Sequence, residues 1–161
     1  MDLAEWVSHF KALHERAKNG TLGDAETRDY EAGRDALTRA LVTAQGLTRQ
    51  PGQSPREALR IARVLQVDLA SRVRQERLAT SELSLGGFSA RMARAPAPDE
   101  ELTATLKVPG TEPISAPVKV AGVKAQPGFV LVSFSFHRLE KSAAARFEMA
   151  IFDHVLAQVS I

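Results

Sequence analysis

The sequence predicts an α+β chain that is mainly β: a six-stranded antiparallel barrel with a C-terminal helix, preceded by an N-terminal helical hairpin. Three observations lead there. Apolar residues recur with helical period over residues 3–49 and again over 142–159. Between those stretches they fall into six short runs, the clearest of them alternating apolar and polar, punctuated by glycine and proline. A Pro51-Gly52-Gln53-Ser54-Pro55 junction separates the first helical region from the strands. The expected division is therefore 1–49 for the hairpin and 50–161 for the barrel with its arginine-bearing arm and terminal helix.

The first helix is expected over 3–18. Leu3, Trp6, Val7, Phe10, Leu13 and Ala17 form its apolar face, Asp2 is its N-cap, and Asn19-Gly20 stops it. Gly23-Asp24 restarts the helical pattern over 25–49, with Tyr30, Gly33, Leu37, Leu41, Ala44 and Leu47 on one face. So short a connection favours an antiparallel pair. Strands are expected at 64–69, 78–84, 88–92, 102–108, 118–124 and 129–136. Pro109-Gly110 and Pro127-Gly128 mark two of the turns. The last helix, 142–159, carries Phe147, Ile151, Val155 and Val159 as its stripe, broadened by Phe152 and Leu156.

The length of 161 residues suits one modest domain or a small domain with an appendage. A net charge of only +2 gives no reason to expect general nucleic-acid binding, but the charge is unevenly placed. Nine arginines and four acids lie between Arg49 and Arg94, whereas the flanking regions are slightly acidic. Arginine suits bidentate contacts with phosphate and guanine, and stacking on a base. The absence of cysteine rules out disulfides and thiol chemistry and permits a reducing compartment. The N-terminus lacks a signal-peptide pattern and no apolar run could span a bilayer, so a cytoplasmic protein without membrane insertion is expected.

Two motifs stand out within the basic region. Arg56 and Arg60 are four apart on a segment bounded by the Pro/Gly linker, where two guanidinium groups can close on a dianionic ligand; Arg63 and Arg49 are near enough to assist. Taken alone, the pair also reads as a solvated basic turn. About twenty residues on comes Glu82-Leu83-Ser84-Leu85-Gly86-Gly87. A carboxylate can accept from guanine N1–H and its exocyclic amine, and a serine hydroxyl can donate or accept beside it. The two glycines permit positive φ and close approach of a ligand to the backbone. Taken alone, this is also a plain turn between strands. Enzymatic signatures are missing: no nucleophile elbow, no phosphate-binding loop, and no histidine pair at metal-ligand spacing, His9 and His14 being five apart.

Together the motifs resemble the PilZ domain, a bacterial receptor module for cyclic di-GMP, whose pattern is Arg-x-x-x-Arg followed by Asp or Asn-x-Ser-x-x-Gly. Arg56 and Arg60 match the first part, and Ser84 and Gly87 the second; Glu82 stands where the family has Asp or Asn. The resemblance covers about residues 54–161. It implies a six-stranded barrel with a C-terminal helix, no catalysis, no metal, and cyclic di-GMP as a ligand held by Arg56, Arg60, Glu82, Ser84 and Gly87. It also implies a role in motility, biofilm or polysaccharide regulation. The hairpin lies outside the resemblance, and its apolar faces could dock on the barrel, pair with a second copy or bind a protein partner. The alternative is a degenerate interaction module that no longer binds the nucleotide, with Trp6 and Phe10 as partner anchors.

Overall fold

The computed structural model describes residues 2–46 and 58–159. Two compact units emerge: Met1–Leu59 with Phe152–Ile161, and Arg60–Ile151. The last helix is common to both.

In the first unit, α1 (Leu3–Lys18) and α2 (Asp24–Ala44) pack through one face each. The Asp2 side chain accepts from the Glu5 N–H at 2.8 Å, and the Glu5 carboxylate accepts from the Asp2 N–H at 3.1 Å. This reciprocal cap satisfies two otherwise orphaned donors. Gly20, at φ 69°, ends α1, with its N–H on Ala17 O and that of Thr21 on Arg16 O. The same chemistry ends α2 earlier than the sequence periodicity suggests. Gly46, at φ 63°, follows Ala44 and donates to Thr43 O, so α2 stops at Ala44 instead of residue 49. Ala44 is exposed, and Thr38 and Val42 take the buried positions on the last turns.

The hairpin core holds Phe10, Leu13 and Tyr30 with Leu156 from the last helix. Trp6 stacks on Phe10 at 5.4 Å, and Tyr30 meets Phe10 edge-on at the same separation. Phe10 is therefore buried inside the unit, which corrects its assignment as a partner anchor; Trp6 is half-buried beside it.

The second unit is a closed antiparallel barrel of β1 (Gln66–Ala70), β2 (Gln75–Ser84), β3 (Gly87–Met92), β4 (Leu102–Lys107), β5 (Ile114–Gln126) and β6 (Phe129–Phe136), in the order β1-β2-β3-β6-β5-β4. Every strand lies where an alternating run predicts one, and β2 and β5 begin earlier. Period-2 alternation sends Val67, Leu83, Phe88, Ala104, Ile114 and Phe134 inward, all at most 4% exposed. Gly110 (φ 82°) and Gly128 (φ 85°) supply the left-handed positions at the two Pro-Gly turns. β5 outruns its neighbour: it pairs with β4 only over Ile114–Val118, and continues along β6 to Gln126.

The last helix, α3 (Lys141–Gln158), contributes its first half to the barrel unit, where Phe147 packs edge-on to Phe136 at 5.3 Å. Its final turns belong to the hairpin unit. There Phe152 lies under the Arg34 guanidinium at 4.9 Å, and the Val159 carbonyl accepts from Lys11 Nζ at 2.9 Å.

Candidate ligand site on the outer face of the barrel

The site is assembled by an extension of the β1–β2 ladder. Before β1 begins, Ile61 bridges Leu83 of β2 antiparallel: each N–H donates to the other's carbonyl, at 2.9 and 2.8 Å. The Thr80 hydroxyl locks the same segment by donating to Arg63 O at 2.6 Å, while accepting from the Leu65 N–H at 2.8 Å. Ile61 and Leu83 are both buried, so their neighbours face outward. The bridge sets Arg60 level with Ser84 and Ala62 level with Glu82. Arg60, Glu82 and Ser84 thus share the outer face of β2 and the strand beside it.

Arg60 and Glu82 are exposed, and neither is in a hydrogen bond or ion pair with another described residue. Ser84 is buried, and among the described residues its hydroxyl makes only a long contact, 3.5 Å to Gly87 O. Ser81 is the extra residue of a bulge: Thr80 pairs with Ala90, and Glu82 with Ser89. The bulge restores Glu82 to the outward side while Leu83 stays inside.

The glycines act differently from the expectation. Neither Gly86 nor Gly87 has a positive φ. Leu85-Gly86 makes the two-residue turn, and a Cβ on Gly86 would meet nothing. On Gly87 a Cβ would lie 1.9 Å from the Phe134 carbonyl oxygen of β6. The absence of a side chain at Gly87 is thus demanded by strand pairing within the barrel.

Arg56, predicted with Arg60 as the phosphate-binding pair, lies outside the described residues, as does Arg49. Arg63 has its own commitment, donating to Ala150 O of α3 at 2.8 Å. Among the described residues, no group of three or more His, Cys, Asp or Glu side chains is placed to hold a metal ion. Among them too, no helix is long and apolar enough to cross a membrane.

One buried polar cluster escaped the sequence reading. His14, on α1, accepts at Nδ1 from the Tyr30 hydroxyl at 2.6 Å, and its Nε2–H donates to Asp153 of α3 at 3.2 Å. Lys18 donates to the same carboxylate at 2.8 Å. Burial outweighs the Asp153 carboxylate and holds the imidazole below its ordinary pKa, in the neutral form. Asp153 is itself lowered by its Lys18 and His14 hydrogen bonds, against its own desolvation. The signal was available: His14 falls four residues after Phe10, on the buried stripe.

The fold has known counterparts. The inhibitor of motility MotI/DgrA of Bacillus subtilis is similar at TM-score 0.57 and 16% identity, over 63% of this chain and 52% of that one. YcgR of Escherichia coli, solved with c-di-GMP, gives 0.52 and 15%, over 60% and 44%. The MrkH–c-di-GMP complex of K. pneumonia gives 0.53 and 13%, over 68% and 53%. The similarity spans about half the length of those proteins. A search of the curated proteins finds no match. At such identities the likeness shows the barrel fold alone. The sequence settles the family: residues 53–153 match the PilZ domain, and the chain belongs to the PilZ family. That family comprises non-enzymatic receptor modules for cyclic di-GMP.

Proposed function

We propose that this protein is a cytoplasmic cyclic di-GMP receptor that relays ligand occupancy to a protein partner. The observation that carries the proposal is the Ile61–Leu83 bridge, which brings Arg60 beside the Glu82–Ser84 turn on one outward face. Arg60, with Arg56, holds phosphate and the acceptor edge of guanine, where a planar guanidinium is the best-matched donor. Glu82 accepts from guanine N1–H and the exocyclic amine, and Ser84 contacts the same base. Two of the similar structures, YcgR and MrkH, are complexes with c-di-GMP, and MotI is an inhibitor of motility. By that analogy, the output of this chain is control of motility, biofilm or polysaccharide. Ligand binding shifts a surface offered to the partner between two populations, as a ligand with differential affinity must.

A second reading rests on Glu82. Its extra methylene misplaces a bidentate acceptor, at a cost of about 1–3 kcal/mol, or roughly ten- to a hundred-fold in affinity. At the far end of that range the barrel is a scaffold and the hairpin the working surface. Isothermal titration with cyclic di-GMP at moderate salt, beside Arg60→Ala, separates the two. Saturable heat that the variant loses establishes the receptor. No heat from the wild-type chain at high ligand leaves the interaction module.

A further inference from the structure

The outer face carries more than the four described residues of the proposed site. In the β2–β3–β6 register, Glu82 lies opposite Ser89, and Ser89 opposite Ser133. One step along, Ser84 lies opposite Gly87, and Gly87 opposite Ser135. The inward positions between them are Leu83, Phe88 and Phe134, so these two rows face out. Beyond Glu82 the rows contain only serine and glycine. They form a low floor three strands wide, about 10 Å across at ordinary strand spacing.

Ser89 gives this floor its second, independent mark. It is 7% exposed, and its hydroxyl oxygen is buried with no hydrogen-bond partner among the described residues. Buried hydroxyls are nearly always satisfied, because leaving one unpaired forfeits its bond to water. Alanine in the same place would avoid that cost. The hydroxyl is therefore a group held ready for a partner that no described residue supplies.

Resting on the receptor reading above, the geometry points to Ser89 as a further ligand-contact residue and to the Ser89–Ser133 row as the continuation of the ligand floor. Glu82 takes guanine N1–H and the exocyclic amine. The next atom on that base is O6, an acceptor. Ser89, directly across the strands from Glu82, donates its hydroxyl proton to O6. Ser133, exposed and small, leaves room for the rest of the base plane.

The test is titration with cyclic di-GMP of the wild-type chain, Ser89→Ala and Ser133→Leu, with melting temperatures measured in parallel. Ser89→Ala is expected to melt at or above the wild-type temperature, since it removes an unsatisfied buried hydroxyl, and to bind about ten-fold more weakly. Ser133→Leu, at an exposed position, is expected to melt as wild type and bind at least ten-fold more weakly, because its side chain fills the floor. Wild-type affinity in both variants overturns this assignment and leaves the receptor reading intact. A wild-type chain that binds nothing overturns both. A Ser89→Ala chain that melts lower and binds as wild type makes the serine structural and overturns the contact.

Discussion

Replacing Gly87 with alanine tests what that glycine is for. The added Cβ would sit 1.9 Å from the Phe134 carbonyl oxygen and 2.9 Å from its carbon, both backbone atoms that no rotamer change can clear. Ordinary contact needs more than another ångström, so β3 and β6 must part at this end. Separation strains the Gly87–Ser135 pairing and the Phe136 N–H to Gly86 O bond of 2.9 Å. One lost hydrogen bond at about 1 kcal/mol and overpacking at about 1–3 kcal/mol give a loss of about 2–4 kcal/mol. For a chain of this length that corresponds to a fall in Tm of roughly 4–16 °C. Gly86→Ala is the matched control. One position away, without positive φ and with open space around it, it should change stability by less than about 0.5 kcal/mol. Thermal unfolding followed by circular dichroism, without nucleotide, reads both. A Gly87→Ala protein melting within 2 °C (about 0.5 kcal/mol) of wild type, or a Gly86→Ala protein falling as far, would refute the strand-packing account.

Glu82→Asp restores the shorter carboxylate of the family pattern and should tighten cyclic di-GMP about ten-fold by titration, the lower end of the mismatch cost. Gly33→Ala should lower the melting temperature although alanine is the better helix former by about 1 kcal/mol. Its Cβ would come within 2.8 Å of the buried Phe10 ring, which Trp6 and Tyr30 hem in. The His14 cluster predicts an acid-sensitive stability. The folded pKa is below the unfolded value of about 6.5, so the unfolded chain takes up the proton first. Stability is then full above about pH 6.5 and declines as the pH falls from there toward the folded pKa. Asp153, also lowered, adds a contribution that is lost only at more acid pH, below the ordinary carboxylate range. Chemical denaturation from pH 7.5 to 5 should show this slope in wild type and a flatter one in His14→Gln.

How much of this was legible depends on which physical signal each residue carries. The strands announced themselves where apolar alternation ended in Pro-Gly, as at 102–110 and 123–129, because glycine there supplies a conformation that other residues rarely adopt. The start of β2 was hidden. The Ser71–Arg74 turn closes through Ser71 N–H to Arg74 O and an Arg74–Glu100 ion pair at 2.7 Å, with no glycine or proline to mark it. The start of β5 was masked by Pro113 and Pro117, which ordinarily argue against a strand; Pro117 nonetheless sits in the ladder opposite Thr103. Within the proposed site, Arg60, Glu82, Ser84 and Gly87 were visible as residue types at a spacing. Ser89 was not, since a serine in an alternating run reads as any solvent-facing position. Only the cross-strand register shows that it faces Glu82, and only the packed fold shows that its hydroxyl is buried.

The uneven length of β5 has a bearing on how the protein behaves when crowded. From Lys119 to Gln126 one backbone edge faces β6 and the other meets no described strand. Such a margin is a template on which a second chain can lay a strand, the first step toward insoluble stacking. Here the template is spoiled by its own sequence. The register slips at Ala121, Gly122 follows, and Lys119 and Lys124 place like charges where an identical strand would have to lie. Neutralising both lysines should therefore leave the fold untouched and shorten the time a concentrated solution stays clear.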